Sequence, residues 1–297
     1  MTISQYPVFI FFLMAPLLLN ACQSKSAQVD LQTLEPFKTS EPVYRTETAT
    51  VIARPTGTAI PTATSPATGT PTPTTAICSP LAGYSRSELE AAVFNPFNPP
   101  AAGLDGPHQG VDFADLEPVN RFAQSGLAVQ AVLAGKVAAR IDDRFPYGNA
   151  LMIETGLAEL PPEWLDSLQL PPAQPPQTPH PALTCPDAPL PDWNASTRSL
   201  YLLYAHLQQA SELKPGDPVG CGQIVGAVGS SGNALNPHLH LEIRVGPGGA
   251  RFESLAHYDS SASPEEMASY CTWRVRGIFK LVDPMLLIHQ IPEQPSG

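Results

Sequence analysis

The stretch Pro237-His238-Leu239-His240-Leu241-Glu242-Ile243-Arg244-Val245 alternates between two kinds of side chain along its whole length. In an extended strand successive side chains point to opposite faces. Leu239, Leu241, Ile243 and Val245 therefore share one face, and His238, His240, Glu242 and Arg244 share the other. The apolar row anchors the strand in a core. The polar row presents two imidazoles side by side, with Cα atoms about 6.5–7 Å apart. A merely solvated strand face more often carries Thr, Lys or Glu than paired histidines, so this face is read as functional.

Other short runs follow the same style on both sides: residues 129–141 (VQAVLAGKVAARI, broken at Gly135), 149–154 (NALMIE), 200–207 (LYLLYAHL) and 224–229 (IVGAVG). Short β-rich runs separated by Gly-containing breaks predict a mostly β, antiparallel domain. Ser85-Arg86-Ser87-Glu88 has the capping-box pattern and predicts one short helix over about 86–94. Residues 157–199 interrupt the strands with eleven prolines between Pro161 and Pro191. They are expected to form a long structureless insertion, functional or disordered. Beyond Val245, residues 276–282 read as a strand and 283–290 as a helix.

Of the seven histidines, four lie in three tight contexts. In His108-Gln109-Gly110-Val111-Asp112, an extended backbone would put His108, Gly110 and Asp112 on one face, with the glycine leaving room between an imidazole and a carboxylate. Both are natural zinc ligands. The second context is the His238/His240 strand. The third, Tyr204-Ala205-His206-Leu207, would in isolation be read as structural. His180, His257 and His289 match no motif.

Taken together, HxGxD, then YAHL, then residues 229–242 (GSSGNALNPHLHLE) resemble the M23 family of zinc peptidases, the lysostaphin-type or LytM endopeptidases. Lys214-Pro215-Gly216-Asp217-Pro218-Val219 and Cys221-Gly222-Gln223-Ile224-Val225-Gly226 resemble the turn and strand that frame the family's site. The resemblance covers about residues 103–245 without the insertion. It implies an antiparallel β-sheet peptidase domain with one Zn2+ held by His108, Asp112 and His240, the fourth position being left to water. It further implies that His206 and His238 flank the metal as catalytic residues. One would handle the protons of the water and the leaving amine, and the other would hydrogen-bond the oxyanion; sequence does not say which does which. Glu242 is read as orienting a ligand or pairing with Arg244. The implied reaction is hydrolysis of peptide cross-links in peptidoglycan. A non-catalytic M23-like partner of other wall hydrolases is the alternative, and it gains ground if the insertion plugs the groove.

The ends of the chain suggest where this happens. Residues 7–19 (PVFIFFLMAPLLL) suit a signal-peptide core and are short for a membrane span. Leu19-Asn20-Ala21-Cys22 resembles a lipobox, so residues 1–22 are expected to direct export and Cys22 to carry a lipid anchor. Residues 23–76, rich in Thr and Pro, read as a disordered tether before a domain over 77–297. At about 3.1 Å per residue it would reach on the order of 150 Å. The remaining Cys78, Cys185, Cys221 and Cys271 suggest two disulfides of open connectivity. With a net charge of -11 and no Lys/Arg-rich run, nucleic acid is excluded as a natural partner.

Overall fold

The alternating runs pair as antiparallel strands. The computed structural model describes residues 76–116, 123–180 and 183–290, all within the unit spanning Pro66–Gly297. The expected export segment, the Cys22 anchor and the tether up to residue 75 lie outside the described residues. In chain order the elements are α1 (Leu89–Ala92), β1 (Val93–Asn95), β2 (Val111–Phe113), β3 (Ala128–Gln130), β4 (Gly135–Arg144), β5 (Gly148–Gly156), α2 (Pro162–Leu168), β6 (Asn194–Leu207), β7 (Pro218–Val219), β8 (Ile224–Ala227), β9 (Leu239–Gly248), α3 (Pro264–Arg274), β10 (Lys280–Val282) and α4 (Pro284–Gln290). The main sheet runs β1-β2-β9-β6-β5-β4-β7, with β10 paired to β9 beyond β2's stretch. β3 and β8 form a separate ribbon.

The sheet is buried on both faces. In β6, Leu200, Leu202 and Tyr204 join one core cluster while Tyr201, Leu203 and Ala205 join another. Leu239, Leu241, Ile243 and Val245 of β9 belong to the first cluster, as the alternation predicts. The second cluster is completed by Phe252, Tyr270, Trp273 and Phe279, which lie after β9 in sequence. Among the described residues, no helix is long and apolar enough to cross a membrane.

Several expectations are corrected. The N-terminal helix is Leu89–Ala92 instead of 86–94, because Val93 leaves it to pair with Phe113 of β2. The Glu88 carboxylate still accepts from Ser85 N at 2.8 Å. The insertion is not structureless from 157 to 199. It holds α2, whose Trp164 and Leu168 enter the first core cluster, and β6 begins at Asn194. Its described middle, 169–180 and 183–193, is irregular, and this part is laced onto α3 and the residues after it. Gln177 N donates to Arg276 O at 2.6 Å, and Cys185 is bonded to Cys271. The other disulfide joins Cys78 to Cys221. His257 fastens the same layer by a 2.7 Å contact of Nε2 with Thr184 O, so it is structural. Helix α3 went unread, although Ser263-Pro264-Glu265-Glu266 spells its start. Ser263 Oγ accepts from Glu266 N at 3.2 Å and the Glu266 carboxylate accepts from Ser263 N at 2.9 Å, a complete capping box.

Candidate metal centre

Strand register brings the site together. β2 pairs with β9 so that Asp112 stands opposite His240, and β6 pairs with the other edge of β9 so that Ala205 stands opposite His240. Residues directly opposite on one face are contact neighbours. His206 reaches the same face by an irregularity. Leu151 pairs with Tyr204 and Asn149 with Leu207, so two β6 residues, Ala205 and His206, face one residue of β5. His206 takes φ +60, a conformation costing a non-glycine residue about 1–3 kcal/mol. This bulge turns its ring towards the His238 ring, 4.7 Å between centroids, and the His240 ring, 5.8 Å.

His108 also arrives by an irregular route. β2 is extended only over Val111–Phe113, so the expected extended run from His108 to Asp112 is corrected to a bend followed by a strand. Backbone pairing with Asn98 and a 2.9 Å bond from Nδ1 to Pro96 O hold His108. Gly110 is needed where it stands. A Cβ there would sit 2.5 Å from Leu241 O and 2.8 Å from the His240 ring. The room the glycine leaves is thus occupied by the His240 ring and its strand.

His108 Nε2, Asp112 Oδ1 and His240 Nδ1 converge. They are 3.0 Å (His108–Asp112), 2.8 Å (His240–Asp112) and 3.2 Å (His108–His240) apart. A tetrahedral zinc about 2.0–2.1 Å from each donor would set these edges at about 3.3–3.4 Å, a spread of a few tenths of an ångström. Two imidazole nitrogens and one carboxylate oxygen are a donor set that suits zinc. The residues present therefore fit the metal that the motifs imply.

The surroundings fix these donors. With its Nδ1–H given to Pro96 O, His108 has Nε2 as a bare acceptor. Asn95 Nδ2 donates to Asp112 Oδ2 at 3.0 Å, which leaves Oδ1 for the centre. His240 Nε2 lies 3.5 Å from Glu242 Oε2 and has no closer partner, the place that an outer carboxylate takes behind an imidazole when it binds a metal. Burial pushes the Asp112 carboxyl up, but the His108 and His240 imidazoles beside it outweigh burial and hold Asp112 well below the usual carboxylate range. Burial disfavours a charged His240, yet Asp112 and Glu242 together raise its pKa. A field that favours a proton there also favours a divalent cation in the proton's place.

His206 and His238 share one tautomer. His206 Nδ1–H donates to Ser231 O at 2.8 Å and His238 Nδ1–H to Asn236 O at 2.7 Å, which leaves both Nε2 atoms as acceptors. His238 Nε2 is 3.7 Å from Asp112 Oδ1. Burial, then the His240 and His238 rings, lower the pKa of His206 to about 3, so it is neutral at pH 7. A cavity of about 260 Å³ opens over these groups, lined also by Asn95, Tyr147, Asn233 and Arg274. No described residue of 157–199 lines it. A larger cleft of about 1250 Å³ lies elsewhere, along Lys136, Glu154 and Arg198, and holds none of the histidines.

The structure thus brings all five sequence-predicted residues to one cavity. Sequence reasoning missed Asn95, Tyr147, Ser231 and Arg274. Ser231 lay inside the GSSGNALN stretch already quoted; the other three carry no local signal.

The family model described as Peptidase family M23 matches residues 195–252. No curated protein matches the chain. Similar solved structures include the catalytic domain, in mutant form, of the prophage-encoded M23 protein EnpA from Enterococcus faecalis. It is 21% identical over 54% of this chain and 85% of that one, with a TM-score of 0.31. The catalytic domain of the antimicrobial peptidase lysostaphin from Staphylococcus simulans is 20% identical over 69% of this chain and 98% of that one, with a TM-score of 0.35. In a mostly antiparallel β-sheet fold, the segment of this chain that matches the peptidase family M23 model includes His206, His238, His240 and Glu242.

Proposed function

We propose that the chain is a zinc-dependent endopeptidase that hydrolyses peptide cross-links of bacterial peptidoglycan, exported and held at the membrane through a lipid on Cys22. The observation that carries the reading is the convergence of His108 Nε2, Asp112 Oδ1 and His240 Nδ1 within 3.2 Å of one another, beside two imidazoles with bare Nε2 atoms. Zinc bound there would lower the pKa of its water towards 7 and polarise the scissile carbonyl.

His108, Asp112 and His240 would hold that ion, and Asn95 and Glu242 keep two of these donors aimed. His206 stays neutral in its buried setting, so its Nε2 is an acceptor for the proton of the attacking water. His238 Nε2 lies across the 4.7 Å ring contact from it, on the Asp112 side of the cavity. Once protonated, it can donate to the oxygen on which charge develops or to the departing amine. The two histidines can exchange these duties, because each is held in the same tautomer by a backbone carbonyl.

Mass spectrometry of fragments released from purified peptidoglycan, with zinc-loaded against chelator-treated protein, tests the reading. New peptide termini that appear only with zinc are expected and would identify the bond cut. No release with zinc shown to be bound would reject the proposed reaction.

A further inference from the structure

The polar row of β9 does not end at the cavity. Glu242 and Arg244 continue it inward, where Glu242 is fully buried and meets α3. Arg274, the last residue of α3, lies beyond the matched segment 195–252 and yet lines the cavity over the histidines. Its guanidinium makes four bonds: Nε to Asp105 Oδ1 at 2.7 Å, Nη2 to Asp105 O at 2.9 Å, Nη1 to Glu242 Oε2 at 3.1 Å and Nη1 to Tyr147 Oη at 3.2 Å.

Those partners sit next to two of the three residues proposed to hold zinc. Asp105 precedes His108 by three residues, and its carbonyl also accepts from Gln109 Nε2 at 2.7 Å, so the turn carrying His108 is built on it. Glu242 follows His240 by two residues and faces its Nε2. One planar guanidinium therefore joins two ligand-bearing segments that lie far apart in sequence. Tyr258 and Tyr270 hold the other oxygen of Asp105 at 2.8 and 2.7 Å, and Cys271, one turn before Arg274, is bonded to Cys185 of the insertion. The clamp is itself anchored.

We propose that Arg274 is a positioning residue for the metal centre, by which helix α3 sets the spacing of the His108 turn and the His240 strand through Asp105 and Glu242. The inference rests on the zinc reading above. A lysine would restore the charge without the fork that spans both carboxylates.

Zinc affinity, measured by competition with a chromogenic chelator, and the visible absorption of the cobalt-substituted full chain test it. Arg274→Met is expected to bind zinc about 10–100-fold more weakly, the usual cost of losing an outer partner of a metal ligand, and to alter the cobalt spectrum. Arg274→Lys is expected to recover little of the affinity. Ala268→Gly, which loosens the same helix without touching these charges, is expected to lower stability and leave affinity and spectrum unchanged. Unchanged affinity and spectrum in Arg274→Met would overturn the inference, as would an equal loss of affinity in Ala268→Gly. If Arg274→Met does not fold, Asp105→Asn cuts one end of the clamp, and unchanged affinity in that variant would overturn it. A wild-type chain that holds no zinc would instead overturn the zinc reading itself, and this inference with it.

Discussion

The outer and inner halves of the polar row on β9 share one strand, one face and one alternation, yet they solve different problems. Inward, Glu242 and Arg244 lie beneath α3 and Phe279. Arg244 Nε donates to Glu242 at 2.5 Å, its Nη1 to Phe279 O at 2.9 Å and its Nη2 to Gln109 Oε1, and its guanidinium lies 5.0 Å from the Trp273 ring centroid. Glu242 also accepts from Tyr147 Oη at 2.9 Å and from Arg274 Nη1 at 3.1 Å. Charges taken out of water are tolerated when paired and hydrogen-bonded, and this half is satisfied by protein alone. The outer half is not. His108 Nε2, Asp112 Oδ1 and His240 Nδ1 crowd together, and a single shared proton cannot satisfy three acceptors. A buried network with surplus donors and acceptors matched is structure; one with surplus acceptors facing each other is a site for a cation.

Breaking the outer half should cause the largest loss. Asp112→Ala and His240→Ala are expected to abolish zinc retention, read by metal analysis of the purified protein. Full zinc content in either would remove that residue from the ligand set. Next, His206→Ala should keep zinc while turnover falls about 10²–10⁴-fold, the range for an acid–base group. Normal turnover would sink the role assigned to His206.

The inner half should answer in stability as well as in zinc affinity. Glu242→Gln leaves the Arg244 and Arg274 guanidiniums without their shared anion and is expected to cost about 3–5 kcal/mol in denaturant unfolding. Between the halves, Gly110→Ala forces a Cβ against Leu241 O and the His240 ring. A loss of about 1–3 kcal/mol is expected, together with weaker zinc binding. A variant with unchanged affinity would mean that the β2–β9 contact can relax without moving the ligand. Smallest of all, Leu235→Ser, at a side chain 99% exposed beside the cavity loop, should shift stability by less than about 0.5 kcal/mol.

The apolar and polar rows of β9 were legible at once, because a period of two is a local property of an extended chain and HLHLEIRV obeys it for its whole length. Likewise HxGxD marked His108 and Asp112, which the fold brings together, and the four cysteines announced two disulfides. The insertion was misjudged because its prolines hid α2, whose Trp164 and Leu168 look no different in sequence from loop residues until a core receives them. His206 shows the limit most clearly. Strict alternation puts it on the same face as Tyr204, in the core. A bulge against Asn149–Leu151 turns it to the metal face, and only pairing with a strand some fifty residues away creates that bulge. Arg274 is the same case at longer range. Nothing near it in sequence marks it, since its meaning comes from Asp105 and Glu242, which reach it only when α3 closes over the sheet. Periodicity and motif spacing are written into neighbouring residues and can be read there. Register shifts, clamps and the burial of a polar face arise from contacts between distant segments, which exist only once the chain has folded.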